Sequence, residues 1–215
     1  WSTFVNTSAL AEGADFGGPL NASAFIRQGQ IRYTQGNFQV AIENPESDQG
    51  DPSQDSIPDI IAKYTFKGDW GNVSVAGLAR QLNTLGGNSE SAFGYGIAGK
   101  INIFGKDDLR FQYHGGETGR YVGVVAARDL VGEEVEETTS YMVAYRHFWS
   151  EDIRSTAFYG NTSTDVSDAD RTHWGVNIFK NYTKELSFGL EVGNFDSADQ
   201  NADSDYVQFS AKYVL

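Results

Sequence analysis

Eight cations, Arg32, Lys63, Arg80, Lys100, Arg110, Arg146, Arg154 and Lys212, fall on one parity of segments whose other parity is apolar. Because successive side chains of an extended chain point to opposite faces, these cations are expected on one common face. The same parity carries four acids, Glu43, Asp108, Glu185 and Glu191. A ladder of Arg and Lys in a narrow, poorly screened space focuses a positive potential and draws in anions. Guanidinium forks match carboxylates in bidentate fashion. The chemistry these residues can do is therefore recognition of small anions, with no bond made or broken. The competing reading is that the cations pair with carboxylates on their own face and hold the wall in shape.

Nothing else in the chain suggests a reactive centre. His114, His147 and His173 lie on separate segments, without metal-ligand or catalytic spacing. The stretches "DVSDAD" and "DSADQNADSD" place oxygen ligands at alternate positions, as Ca²⁺ sites do, but lack the turn Gly and closing Glu of an EF-hand, so solvated acidic loops are the simpler reading. Cys is absent, which removes disulfides and thiolate metal sites. No cofactor and no metal are expected. The net charge of −13 argues against nucleic acid as a partner.

The elements that must position the cations read as strands. No run approaches the roughly 18 apolar residues of a transmembrane helix, a test that does not reach β-barrels, whose alternating strands keep mean hydropathy low. Period-2 segments are placed at 1–5, 25–34, 37–43, 58–67, 71–82, 91–104, 107–114, 138–149, 152–160, 170–181, 184–195 and 205–215, about twelve strands. Short joints ("TQGN", "KGDWGN", "FGKDD", "WSED", "NYTKE") alternate with long polar ones at 6–24, 44–57, 83–90, 115–137, 161–170 and 196–205. This is the pattern of an outer-membrane barrel with turns on one side and loops on the other. Aromatics collect beside the short joints: Tyr33, Phe38, Phe66, Trp70, Phe104, Phe148, Trp149, Tyr182 and Tyr213. Rings gathered at one level are what an interfacial girdle requires. The expected fold is all-β, a transmembrane antiparallel β-barrel with its apolar stripes toward lipid. The last segment, "DYVQFSAKYVL", resembles the C-terminal recognition signal of bacterial outer-membrane proteins, with Leu215 where Phe is usual.

Charge is segregated along the chain. The six long joints hold 20 of the 29 acidic residues and only 2 of the 16 basic ones, which leaves the expected wall net basic. The joint at 6–24 is Gly-containing and only mildly charged, as suits a segment folded inward. Its "ADFGGPL" resembles the "EFGGD" stretch of the constriction loop of general bacterial porins. That likeness implies that Glu12, Asp15, Phe16, Gly17 and Gly18 lie at the narrowest point, with the two acids facing the basic wall.

The run "WSTFVNTSALAEGADFGGPLNASAFIRQGQIRYT" (1–34) resembles the DcaP-like porins, trimeric outer-membrane channels associated with dicarboxylate uptake. The W-S-x-F opening, the D-F-G-G-P segment and the "FIRQGQIRYT" strand carry the likeness. It implies a sixteen-stranded, trimer-forming barrel with Arg27, Gln28, Gln30 and Arg32 near the constriction. It also implies that four strands precede this chain, since a constriction loop joining strands five and six leaves twelve from strand five onward; the alternative is a twelve-stranded barrel closing on its own, an even count being normal. The expectation is a single domain over 1–215 working as an outer-membrane diffusion channel. Its partners would be small anionic solutes, membrane lipid, lipopolysaccharide and two further copies of the chain. The rivals are a barrel enzyme of phospholipase type and a surface receptor or adhesin using the acidic loops.

Overall fold

A computed structural model describes residues 1–14, 22–122 and 127–214. The strands are β1 (Gln30–Gln35), β2 (Phe38–Glu43), β3 (Asp59–Gly68), β4 (Gly71–Asn83), β5 (Ser89–Asn102), β6 (Asp108–Gly116), β7 (Leu130–Val131), β8 (Glu134–Val135), β9 (Thr138–Phe148), β10 (Ile153–Thr164), β11 (Asp170–Asn181), β12 (Leu186–Ser197) and β13 (Ala202–Tyr213). Eleven of them form one sheet in the order β1-β2-β3-β4-β5-β6-β9-β10-β11-β12-β13, each pairing antiparallel with its neighbour. β7 and β8 form a separate two-stranded ribbon inside the connection between β6 and β9. A nearest-neighbour meander of this kind is built from hairpins alone, and strict period-2 alternation then decides which side chains share a face.

The two faces are inverted relative to a water-soluble sheet. The apolar parity is exposed, through Phe93, Tyr95, Val143, Trp174, Val176, Ile178, Leu190 and Val192 among others. The polar parity is buried, including Lys63, Ser74, Gln112, Ser140, Thr156, Asn177 and Glu191. Rows of apolar side chains continue across strands: Val176 is opposite Ala157 and Val192, and Val192 opposite Val207. Tyr141 and Tyr159 stack at 6.2 Å and Phe188 and Phe209 at 6.1 Å on this exposed face.

The buried face is covered by the chain itself. A hydrophobic cluster joins Phe4, Val5 and Ala24 to Ile61, Ala76 and Leu78 of the wall and to Tyr121 and Val122 of the β6–β9 connection. Small residues on β5 make this approach possible. A Cβ on Gly96 would lie 2.5 Å from the His114 ring and 3.3 Å from Phe4, and one on Gly94 would lie 2.6 Å from Thr118.

The elements differ from the sequence expectation at several places. Residues 1–5 are not a strand; they lie against the sheet's buried face. Residues 25–29 precede β1, which begins at Gln30. The absence of a strand at 1–5 leaves eleven of the expected twelve in the main sheet, and the ribbon β7–β8 forms outside it in a stretch expected to be loop throughout. Strands β4, β5, β10, β12 and β13 run further than expected at the loop end, so that 84–88, 165–169 and 198–201 are compact connections while 44–58 and 117–137 stay long. Polar Ser, Thr, Asn and Asp at these ends hide strand continuation from a hydrophobic period. They bond across adjacent strands instead: Asn194 Nδ2 donates to Asp205 at 2.9 Å, and Asn161 Nδ2 to Thr172 at 3.1 Å.

Candidate functional site

The first fourteen residues form a strap that crosses the buried face strand by strand. Thr3 N donates to Glu43 Oε1 of β2 at 2.7 Å, and Lys63 Nζ of β3 donates to the Val5 carbonyl at 2.9 Å. Asn6 Nδ2 donates to Ser74 Oγ of β4 at 2.9 Å and to the Ala98 carbonyl of β5 at 3.1 Å. Arg110 of β6 donates to the Leu10 carbonyl, and Gln112 to that of Ala9 at 3.4 Å. Glu12 meets Arg146 of β9 and Arg154 of β10, its carbonyl accepts from Asn177 of β11 at 2.8 Å, and Ala14 N donates to Glu191 Oε2 of β12 at 2.8 Å. Glu43, Lys63, Arg110, Gln112, Asn177 and Glu191 are thus spent on main-chain groups of a segment whose only regular structure, among the described residues, is the short 3₁₀ turn Thr7–Ala9.

The cations expected to line a channel occupy three kinds of environment. Lys100, Arg110 and Arg146 converge on Asp108, at 3.7, 2.7 and 2.5 Å, and Arg154 holds Glu12 at 2.6 Å. Arg80 is fully buried between Asp59 at 3.1 Å and Asp129. Arg120 joins the same carboxylates from the β6–β9 connection, and Tyr121 Oη donates to Asp59 at 2.7 Å. The Arg27 guanidinium lies 4.3 Å from the Trp1 ring centre, Gln28 donates to Glu43 and to Tyr121 Oη, and Gln30 donates to the Trp1 carbonyl. Arg32 and Lys63 share a cavity of about 480 Å³ with Lys67, Gln39, Thr65, Asn72 and the strap residues Ser2, Asn6, Thr7 and Ser8. Among the described residues, no carboxylate belongs to its lining. Asp15, Phe16, Gly17 and Gly18 lie outside the described residues.

Sequence reasoning missed Lys67 as a member of that cavity, and missed Asp59 and Asp129 as the partners of Arg80. Lys67 lies on the expected parity but close to a turn, where it reads as a solvated end. Asp129 comes from a connection, and no periodicity tells where a connection folds. Glu12 sits on the strap, outside the strands. Burial pushes its carboxyl up, but the hydrogen bond and charge of Arg154, with help from Arg146, outweigh this and hold it below the usual value.

Among the described residues no group of three or more His, Asp or Glu is placed to hold a metal ion. His147 Nδ1 lies 2.7 Å from Asp107 Oδ2, which also accepts from Tyr145 Oη at 2.6 Å. This arrangement belongs to the turn after β5: the bonds from Tyr145, His147 and the Phe148 N–H hold the Asp107 carboxyl down at about 2. Ser150 nearby uses its Oγ to accept from Asp152 N and Ile153 N, as a turn residue does.

The sequence matches no protein-family model and no curated protein. Solved structures share the fold. The outer membrane channel DcaP of Acinetobacter baumannii aligns over 99% of this chain and 69% of its own, with a TM-score of 0.82 and 18% identity. An anion-selective porin from Comamonas acidovorans aligns over 84% of this chain and 52% of its own, with a TM-score of 0.57 and 11% identity. OmpT, an outer membrane protein of Vibrio cholerae, aligns over 100% of this chain and 66% of its own, with a TM-score of 0.51 and 15% identity. The chain therefore has the antiparallel sheet architecture of these outer-membrane proteins, and spans 52% to 69% of their lengths.

Proposed function

We propose that the chain forms the wall of an outer-membrane diffusion channel that favours small anionic solutes, carboxylates among them. The observation that carries this reading is the inverted sheet: an apolar face exposed along the strands, and a charged face turned toward a strap and a cationic cavity. A sheet with this polarity is stable only where hydrocarbon meets the apolar face and water or chain meets the other. The anion preference rests on the cavity of Arg32, Lys63 and Lys67, since Arg80, Lys100, Arg110, Arg146 and Arg154 meet carboxylates and their fields largely cancel at a distance. The joint at 6–24, whose described residues 6–14 belong to the strap, serves as the constriction, and assembly as a homotrimer in contact with membrane lipid and lipopolysaccharide completes the reading. The three structures of like fold are outer-membrane proteins, two of them named as a channel and a porin, which supports transport over a phospholipase-type enzyme.

Planar-bilayer recording under a KCl gradient tests it. The protein should give stepwise conductance with a reversal potential on the anion side, and Arg32→Ala with Lys67→Ala should move that potential toward zero. These two leave the Lys63 tie to the strap in place. Conductance with an unchanged reversal potential would show that the cavity does not set selectivity; hydrolysis of phospholipid without conductance would replace the channel by an enzyme.

A further inference from the structure

The ion pair that ties the strap to β10 joins one carboxylate to two arginines in the form of a filled ligand site. Arg154 Nε lies 3.0 and 2.8 Å from the two Glu12 carboxylate oxygens, and Arg154 Nη2 lies 2.6 Å from Oε1, a bidentate grip. Arg146 Nη1 adds a longer contact to Oε2 at 3.4 Å. Both guanidinium groups are held without help from Glu12. Arg154 Nη1 donates to Asn181 Oδ1 at 2.8 Å and the group stacks 5.2 Å from the Phe179 ring centre. Arg146 donates twice to Asp108 Oδ2, at 3.0 and 2.5 Å, and lies 5.0 Å from the Phe148 ring centre.

The strap, for its part, is held without the Glu12 side chain, through the Glu12 carbonyl on Asn177 and Ala14 N on Glu191. The carboxylate can therefore leave the arginines while the strap stays seated. The three side chains keep 14% (Arg154), 18% (Arg146) and 21% (Glu12) of their surface accessible, enough for a small ion to reach the fork. A cavity of about 170 Å³ adjoins it, lined by Arg154, Asn181, Lys184, Glu185 and Lys212 and reaching the turn between β11 and β12. Its lysines give an anion a path from that turn to Arg154.

We propose that Arg154 and Arg146 form a binding site for a small carboxylate, and that Glu12 is its tethered competitor, displaced by a solute carboxylate and returning when the solute leaves. As a step in passage, this exchange rests on the channel reading above. A tethered group competes at the high local concentration its linkage imposes. If Glu12 fills the fork about nine-tenths of the time, the competent fraction is about one tenth, and apparent solute affinity is lowered about tenfold.

The test is a propionate titration of the folded protein in detergent micelles, with chloride at equal ionic strength as the control. Glu12→Gln should bind propionate about tenfold more tightly than wild type, and Glu12→Gln with Arg154→Gln should lose the gain. In wild type, propionate but not chloride should shift the Glu12 carboxylate resonance in a side-chain-labelled NMR sample, a readout that needs no variant to fold. Unchanged or weaker propionate binding by folded Glu12→Gln, or an unmoved Glu12 signal at saturating propionate, overturns the inference. Conductance by wild type without these changes sinks the exchange alone. A silent bilayer sinks the channel reading, and the titration still decides whether the site exists.

Discussion

Val176→Arg places a charge on the exposed apolar face, and the structure sets what it should cost. Val176 lies on β11 five residues before Asn181 at the short-turn end, with Ala157 and Val192 opposite it on the adjoining strands. At roughly 3.3 Å per residue and a strand tilt of about 40°, those five residues rise about 13 Å along the membrane normal, close to half of an apolar band about 25 Å tall. Val176 is thus near mid-depth, where an arginine on the lipid face costs about 2–4 kcal/mol. At about 1.36 kcal/mol per tenfold, this is a drop of roughly 30- to 900-fold in the folding equilibrium constant. Reversible folding into phospholipid vesicles, followed by denaturant titration, measures it. Tyr182→Arg, in the turn and 72% exposed, is the depth control and should cost about 0–1 kcal/mol. Equal costs at the two positions, or none at Val176, would refute the assignment of this face to hydrocarbon.

The interior charge networks make two further predictions. Asp129→Asn removes a partner from Arg80 where both side chains are fully buried, so it should destabilise by about 3–5 kcal/mol in the same denaturant titration. The exposed pair Lys106–Glu151, 3.8 Å apart with side chains 63% and 91% accessible, should contribute about 0–1 kcal/mol by a double-mutant cycle. Glu12 supplies a pH dependence whose sign follows from its depressed folded value: the stabilisation is complete above the unfolded value near 4.5 and is lost as pH falls through the lower folded one. The stability difference between wild type and Glu12→Gln, measured by denaturant titration, should therefore stay constant from pH about 7 to about 5 and shrink in one step only below pH about 4.5. A step that begins above pH about 6 would place the controlling group elsewhere.

Alternation along the chain determined the main sheet and its two faces, because the period of a strand is a local property of the backbone and needs no tertiary information. It assigned Val176, Ile178 and Leu190 to one side and Lys63, Gln112 and Asn177 to the other, and the exposures follow that division. The aromatics beside the short joints marked the sheet as inverted, since rings at Phe104, Trp149 and Tyr182 have no reason to gather at one end of a soluble sandwich. Alternation failed at 1–5, where Phe4 and Val5 are apolar for packing on the wall rather than for pairing, and at β7–β8, whose two-residue strands are too short to show a period.

Only the tertiary structure decided which charges meet. Arg154 and Glu12 are 142 residues apart, and Arg80 and Asp129 are 49 apart. Parity says which face a cation occupies but carries no information on where a strap or connection folds across it, and a carboxylate a few ångströms away changes a cation from a free charge into half of a pair. The expected ladder of cations became, in space, one buried network, one strap-bound cluster and one cavity in which Arg32, Lys63 and Lys67 stand together, because Coulomb energy depends on distance in three dimensions and not on order along the chain.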